Sequence, residues 1–95
     1  MPSEASLERR CCAYAKGRGC LPLKLWPTLA GLPDRLILVP GGVIWFVEFK
    51  SETGRVSPIQ RRIHALLGGL GFPVAVVRDW PRFKAGLDWK VSGGA

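Results

Sequence analysis

Three charged side chains lie at the two ends of a predicted β-hairpin. Asp34 precedes the apolar run Arg35–Val39, and Glu48 and Lys50 lie at the end of the run Val43–Phe49. In an antiparallel hairpin the start of the first strand lies beside the end of the second, so Asp34 is expected near Glu48. The two-residue period of a strand places Glu48 and Lys50 on the same face. Such groups are costly to bury unless they are paired or bound to a ligand.

This set of side chains is typical of metal-assisted hydrolysis of a phosphodiester. Two carboxylates that face each other repel unless a proton or a divalent cation lies between them. Carboxylate oxygens suit Mg²⁺ and Mn²⁺, which also bind substrate phosphates and acidify water. The Lys50 ammonium could orient the attacking water or neutralise charge that develops on the phosphate. In the plainer alternative, Asp34 is a turn residue and Glu48 and Lys50 form a solvated strand end.

The elements that must position these residues are predicted in the order α-β-β-β-α-β-α. The first helix begins at the capping residue Ser3 and ends before the glycines that follow residue 16, and a short strand covers residues 21–26. The hairpin follows, with a Pro-Gly-Gly turn between its strands. Its second strand, residues 43–49, is β-branched and aromatic throughout, which predicts a strand covered on both faces.

The rest of the chain predicts a helix, a strand and a last short helix. Ser57 is a good N-cap, Pro58 suits the first helical position, and Gln60 completes a capping box. A helix that joins two strands of one sheet usually makes those strands parallel. We therefore expect one α/β domain over residues 1–95, with a small mixed sheet flanked by helices.

A string of short motifs extends well beyond the three charged residues. In chain order it reads Gly31-Leu32-Pro33-Asp34-Arg35, Pro40-Gly41-Gly42, Phe46-Val47-Glu48-Phe49-Lys50, Gly54, Ser57-Pro58-Ile59-Gln60 and Gly71-Phe72-Pro73-Val74. With these motifs the chain resembles the VRR-NUC (virus-type replication-repair nuclease) branch of the PD-(D/E)XK superfamily. The resemblance covers Ser3 to about Arg78. It implies a restriction-endonuclease-like core and divalent-metal-dependent cleavage of DNA, of a kind used in DNA repair.

The resemblance also implies roles for individual residues. Asp34 and Glu48 would bind Mg²⁺ or Mn²⁺, with the Phe49 carbonyl as a third ligand and Lys50 as the catalytic lysine. Gln60 matches the branch's glutamine on the helix after the catalytic strand. A purely structural role in the capping box also explains Gln60.

Two further acidic residues and one histidine are candidates for the same site. The family places a glutamate on the first helix, and Glu4 and Glu8 lie one turn apart on one face. Glu4 fits the branch pattern better, although either residue could instead favour the helix dipole. His64, the only histidine, follows Gln60 by one turn and would point toward the site. A lone helical histidine is more often a packing or surface residue.

The charge balance favours a polyanionic partner. The 95 residues carry 14 Lys and Arg against 7 Asp and Glu, a net charge of +7, which favours nucleic acid over an anionic membrane surface. Lys24, Arg35 and Arg61 are the main candidates for DNA contacts, although Lys24 could be merely solvated and Arg35 could be a salt-bridge partner. Other basic residues available for phosphate contacts are Arg9, Arg10, Lys16, Arg18, Arg62, Arg78, Arg82, Lys84 and Lys90.

Composition also bears on compartment. The chain is 47% hydrophobic and 22% charged, which excludes a disordered chain, and no apolar run approaches the ~20 residues needed to span a bilayer. Its three cysteines are an odd number, and their spacing is not that of a zinc finger, which favours a reducing compartment over a disulfide-bonded scaffold. No apolar stretch of a secretory leader follows the charged first ten residues. We expect a soluble, cytoplasmic protein of the kind that phages and prophages encode.

Four large apolar residues near the C-terminus raise the question of oligomerisation. Trp80, Phe83, Leu87 and Trp89 either cap the sheet or, if exposed, form a partner surface. A two-fold homodimer is the commonest solution, and stand-alone members similar to this chain are expected to be dimers. A four-way DNA junction has approximate two-fold symmetry, so paired active sites could cut it symmetrically.

The sequence therefore predicts a homodimeric, metal-dependent endonuclease that acts on branched DNA, with the Holliday junction as the first substrate to test. Two same-class alternatives are a flap or fork nuclease and a nuclease that ignores DNA structure. The alternative from another class is a nucleic-acid-binding module without catalysis.

Overall fold

The predicted order of elements is confirmed by the computed structural model of the protein, which describes residues 3–26 and 28–94. The elements are α1 (Glu4–Gly17), β1 (Leu21–Lys24), β2 (Arg35–Val39), β3 (Val43–Phe49), α2 (Pro58–Gly69), β4 (Val74–Val77) and α3 (Trp80–Val91). β1 ends at Lys24, two residues before the predicted end at residue 26. β4 begins at Val74, directly after Pro73, which cannot donate to a strand ladder. Among the described residues, no helix has the length and apolarity needed to cross a membrane.

The small mixed sheet is also confirmed. Its strand order is β1-β2-β3-β4. β2 is antiparallel to both of its neighbours, β1 and β3, and β4 is parallel to β3. Gly41 and Gly42, in the turn between β2 and β3, have φ angles of +93° and +81°. Only glycine adopts this left-handed region readily, so the two glycines allow the tight reversal that sets the hairpin register.

One face of the sheet is covered by α1 and α3. Apolar side chains alternate along the strands, and those on this face pack against the apolar sides of the two helices. Phe83 and Leu87 of α3 are fully buried there, so these two C-terminal residues cap the sheet, whereas Trp89 stays 54% exposed. The buried cluster comprises Leu7, Cys11, Ala15, Cys20, Ile37, Val39, Val47, Phe49, Val77, Phe83 and Leu87.

The opposite face is only partly covered. The expectation that β3 is covered on both faces is wrong for its first half, because α2 packs near the end of the sheet where Glu48 lies. Away from that end the cross-strand neighbours Leu21, Leu38 and Ile44 are 51%, 36% and 38% exposed. We call the partly exposed side chains on this side the open sheet face; they are Leu21, Leu23, Leu38, Ile44 and Val76.

α2 is held at its N-terminus and along its side. The Ser57 hydroxyl accepts a hydrogen bond from the Gln60 N–H, and the Gln60 carboxamide oxygen accepts one from the Ser57 N–H, which completes the predicted capping box. Gly31 lies directly against the helix: a Cβ built on it would be 2.6 Å from the Ile59 carbonyl oxygen and 2.8 Å from Ile63 Cγ1. The residues that follow Gly31 lead straight into Asp34, so this contact links α2 to β2.

We expect Gly31→Ala to destabilise the protein by about 2–5 kcal/mol, because the residue has a φ of +91° and its new methyl group would overlap the α2 backbone. Urea unfolding followed by circular dichroism measures the free energy of unfolding.

Two control substitutions separate the two causes of destabilisation expected for Gly31→Ala, which are backbone strain and overlap with α2. Gly41→Ala shares the left-handed backbone but meets nothing within 4 Å, so its cost reports the backbone strain alone. Gly68→Ala lies in α2 with open space around it, and it should be neutral or slightly stabilising. A Gly31→Ala protein as stable as the unsubstituted chain would show that the close approach to α2 is unimportant.

Candidate active site

The hairpin brings Asp34 and the end of β3 together. Arg35 pairs with Val47, so the next cross-strand neighbours are Asp34 and Glu48. The Asp34 backbone is held by the Leu25 N–H, which donates to its carbonyl oxygen at 3.1 Å. The Asp34 side chain accepts a hydrogen bond from the Phe49 N–H at its Oδ2, at 2.8 Å. This carboxylate is therefore fixed beside the strand that carries Glu48.

Glu48 is a buried charge. Its exposure is 1%, and it is the only buried polar or charged side chain in residues 3–26 and 28–94. Its Oε2 accepts from Gln60 Nε2 at 3.3 Å and lies 3.6 Å from Lys50 Nζ. Its Oε1 is buried without a hydrogen-bond partner, and His64 Nε2 lies 3.8 Å from it. Three side chains thus surround the two oxygens of a carboxylate that is buried from water.

The electrostatics of Glu48 reflect this setting. Burial, and next the negative charge of Asp34, raise the pKa of Glu48 from near 4.5 to about 7, against the opposing effect of the Lys50 ammonium. Burial, and next Lys50, lower the pKa of His64, while Asp34 acts in the other direction. One buried ammonium group does not offset two adjacent carboxylates, so the site favours an additional positive charge.

The Gln60 side chain makes two hydrogen bonds. Its carboxamide oxygen belongs to the capping box of α2, and its Nε2 donates to Glu48. The cap orients the amide so that the NH₂ group faces the carboxylate. Gln60, which helps to cap the N-terminus of α2, is therefore also a hydrogen-bond partner of the buried Glu48 carboxylate.

The residues present fit a divalent cation. Asp34 and Glu48 offer carboxylate oxygens, and the unpartnered Oε1 of Glu48 is a buried acceptor that lacks a donor. In the part of the chain that the structure describes, no three His, Cys, Asp or Glu side chains form a ready-made metal-binding group. A bound ion would therefore need a backbone oxygen, such as the Phe49 carbonyl, and water to complete its shell, as is usual for Mg²⁺.

Glu8 and Glu4 differ in their surroundings. Glu8 is paired with Arg35, whose Nε donates to Glu8 Oε2 at 2.7 Å, and Lys24 Nζ lies 4.0 Å from the same oxygen. Glu4 is exposed at the start of α1, and its side chain makes no hydrogen bond or ion pair with the other described residues. The first helix thus contributes an ion pair next to β2, and Glu4 lies apart from the Glu48 cluster.

The candidate DNA-binding residues are dispersed. The Arg35 guanidinium is occupied by Glu8 and by the Pro22 carbonyl, which is the salt-bridge role considered for it. The Lys24 side chain is 58% exposed, and Arg61 is exposed with one hydrogen bond to the Val56 carbonyl. Lys24 and Arg61 are therefore accessible to a polyanion.

Two residues contribute more to this region than the sequence indicated. His64 contacts Glu48, and the only signal for it was its spacing of one turn from Gln60. Arg78, counted only as a basic surface residue, donates to the Ser51 and Gly54 carbonyls and so holds the loop that follows Lys50. A link between residues 78 and 51 has no local sequence signal.

Comparisons with known proteins agree with this geometry. The protein named "Putative nuclease p44" of Acyrthosiphon pisum secondary endosymbiont phage 1 is 37% identical over 75 residues, which cover 78% of this chain and 81% of that protein. A solved structure described as a VRR_NUC domain superimposes with a TM-score of 0.80 and 29% identity, covering 92% of this chain and 97% of that chain. No family model matches the chain. Together, the phage relative, the superposition and the acidic cluster at the hairpin end show that this chain belongs to the VRR-NUC family of nucleases.

Proposed function

We propose that residues 1–95 form one nuclease domain that hydrolyses phosphodiester bonds in DNA with Mg²⁺ or Mn²⁺ bound by Asp34 and Glu48. The observation that carries the proposal is the buried Glu48 carboxylate beside Asp34, with one oxygen that has no donor. Folding around such a pair is costly in the absence of a cation, and a divalent ion offsets both the burial and the repulsion. The alternative function, a nucleic-acid-binding module without catalysis, gives no reason to bury the Glu48 carboxylate.

Each side chain around Glu48 has a distinct role in the proposed hydrolysis. A bound divalent ion supplies positive charge to the scissile phosphate and acidifies a water molecule. Lys50, at 3.6 Å from Glu48 and only 14% exposed, presents its ammonium where charge develops on the phosphate. Asp34 is held by the Phe49 N–H and Glu48 by Gln60, so neither carboxylate must reorient during the reaction. The attacking water forms the new P–O bond as the bond to the departing sugar oxygen breaks and that oxygen takes a proton.

In this proposal Glu4 acts on the bound ion only through water, because it does not belong to the group of side chains around Glu48. It lies on α1 one turn before Glu8, whose carboxylate is already committed to Arg35. Glu4 has no partner among the described residues and is free to act through water. The positive charge that binds the DNA backbone comes mainly from Lys24 and Arg61. Arg35 contributes less, because its guanidinium is already paired with Glu8.

We also propose that the protein is a homodimer and that a second copy covers the open sheet face. Its five residues and the adjoining Phe72 are each between 36% and 51% exposed, and several exposed apolar side chains on one face are typical of a partner surface. The C-terminal cluster is a weaker candidate because Phe83 and Leu87 are buried within the protomer.

A two-fold dimer favours a branched substrate. A four-way junction presents two equivalent strands related by approximate two-fold symmetry, and a dimer presents two equivalent sites. We therefore propose the Holliday junction as the preferred substrate, ahead of flaps, forks and plain duplex. The phage source of the 37% identical relative supports a role on phage or prophage DNA inside a cell, and the three buried, unpaired cysteines suit a reducing compartment.

We expect the purified protein to cleave a labelled four-way junction in Mn²⁺ or Mg²⁺ faster than a flap, a fork or a duplex of the same sequence. Asp34→Asn, Glu48→Gln and Lys50→Ala should each lower the cleavage rate by about 100-fold or more, because each removes a charge from the reacting centre. Single-turnover rates on denaturing gels measure the effect.

Glu52→Gln is the matched control, since Glu52 is an exposed carboxylate two residues beyond Lys50. Its rate should equal that of the unsubstituted protein. Cleavage that persists in excess EDTA, or in Asp34→Asn, would contradict the proposed role of the cluster. Equal rates on all four substrates would leave a nuclease without structure preference.

In EDTA at about pH 8, we expect Glu48→Gln to be more stable than the unsubstituted protein by about 1–3 kcal/mol. The folded pKa of Glu48 lies above its ordinary value, so the ionised carboxylate destabilises the fold increasingly as pH rises from about 4.5 to about 7. The gain should therefore vanish near pH 4.5, where the carboxyl group is protonated. Thermal or urea unfolding at both pH values measures it.

Glu52→Gln again serves as the control and should show no pH-dependent gain. A Glu48→Gln protein that is less stable than the original near pH 8 would mean that Lys50 and Gln60 fully compensate the buried charge. In that case the main support for a bound cation would be lost.

We expect Leu38→Glu to convert the dimer into a folded monomer of 10.4 kDa, because it places a charge at the centre of the open sheet face. Sedimentation velocity measures the mass. Trp89→Glu tests the alternative interface, since Trp89 is exposed on α3 at the other side of the sheet. Dissociation by Trp89→Glu but not by Leu38→Glu would assign the interface to the C-terminal helix instead.

A further inference from the structure

His64 and Glu48 present two buried polar atoms to each other, and neither atom has a hydrogen-bond partner. His64 Nε2 and Glu48 Oε1 lie 3.8 Å apart, and both are inaccessible to solvent. The side chains are 13% and 2% exposed. Buried polar atoms are nearly always satisfied in folded proteins, so two adjacent exceptions at an active site require an explanation.

The space between the two atoms restricts that explanation. A bridging water would have to touch both atoms, and neither atom has surface open to a water molecule, so no water fits beside this pair. Asp34, Glu48 and His64 do not form a ready-made three-residue metal group within residues 3–26 and 28–94. A direct N–H···O bond, made by closing the gap by less than 1 Å, gives His64 Nε2 an acceptor and uses one lone pair of Glu48 Oε1, which leaves the other lone pair for a cation.

The position of His64 on α2 suits such a bond. Gln60 and His64 are four residues apart, so their side chains lie on the same face of the helix. Gln60 Nε2 donates to Oε2 of Glu48 at 3.3 Å, and His64 Nε2 faces Oε1. Side chains from two consecutive turns of α2 therefore face the two oxygens of the Glu48 carboxylate.

We propose that His64 is a positioning residue of this active site: its Nε2–H donates to Glu48 Oε1 and, together with Gln60, orients the carboxylate for metal binding. The bond requires the tautomer with its hydrogen on Nε2, because a neutral imidazole has only one N–H group. Hydrogen-bond partners of a metal-binding carboxylate are often worth 10–100-fold in metal affinity. The proposal rests on the proposed role of Glu48 as a metal ligand.

Titration of Mn²⁺ into metal-free protein without DNA, followed by calorimetry, tests the effect on affinity. His64→Leu keeps a similar volume and lacks a donor, and we expect its Mn²⁺ dissociation constant to rise by about 10–100-fold. His64→Gln restores an N–H donor, and its dissociation constant should stay within about threefold of the original. Leu66→Gln, at an exposed position of the same helix, is the control and should bind Mn²⁺ unchanged.

The outcomes separate the possible roles of the ring. A His64→Leu protein with unchanged Mn²⁺ affinity overturns the proposal. Equal losses in His64→Leu and His64→Gln also overturn it, because they would mean that the imidazole binds the ion directly or acts by its shape. Thermal unfolding in EDTA shows whether His64→Leu is folded, and we expect a cooperative transition at a lower temperature, because the substitution leaves Glu48 Oε1 without a donor.

A second measurement does not depend on metal binding. His64 is the only histidine, so its ring nitrogens can be assigned without ambiguity by ¹⁵N NMR of the metal-free protein. We expect the hydrogen on Nε2 and a change in the Nε2 shift in Glu48→Gln. A hydrogen on Nδ1 instead overturns the proposal. If the Nε2 tautomer is found but the unsubstituted protein does not bind Mn²⁺, then the metal dependence of the proposed function fails while the hydrogen bond stands.

Discussion

The buried carboxylate of Glu48 is the group around which the rest of the structure is organised. A charge removed from water must be compensated by nearby donors or cations, and no single neighbour supplies enough. Lys50 contributes a charge at 3.6 Å and Gln60 a hydrogen bond to one oxygen, while the other oxygen is left to His64 and to whatever binds between Glu48 and Asp34. Because Asp34 adds a second negative charge, the electrostatics of the cluster favour a further positive charge. A fold that tolerates this cost retains it for function.

Four separate features hold the partners of this charge in place. The hairpin turn at Gly41 and Gly42 sets the register that brings Asp34 beside Glu48. The capping box orients Gln60, and the close contact of Gly31 with Ile59 joins α2 to the chain that leads into Asp34. The Glu8–Arg35 ion pair ties α1 to β2 next to the same aspartate. The cluster thus depends on four elements, any of which can displace a carboxylate if it moves.

The two faces of the sheet serve different purposes. The face under α1 and α3 contains the apolar core, including the buried Phe49 and Phe83, which supplies the rigidity that a buried charge needs. The other face carries Glu48 at one end and exposed leucine and isoleucine side chains elsewhere. A small chain has few residues with which to cover both faces, since its surface is large relative to its volume. Leaving one face open places a potential partner surface on the same side as the active site.

The sequence by itself determined the order of the elements, the hairpin pairing and the capping of α2, because strand period, turn glycines and capping residues act over a few neighbouring positions. The same local rules brought Asp34, Glu48 and Lys50 together, since a tight hairpin fixes how its ends meet. Which face of β3 would remain open, that Arg35 would be occupied by Glu8 rather than free, and that Arg78 would hold the loop after Lys50 were decided only by the tertiary structure. For His64 the sequence indicated only that it would point toward the site, and the tertiary structure decided that its Nε2 faces Glu48 Oε1. Each of these depends on where a helix or a side chain lies against an element distant in the chain, and local periodicity does not encode that distance.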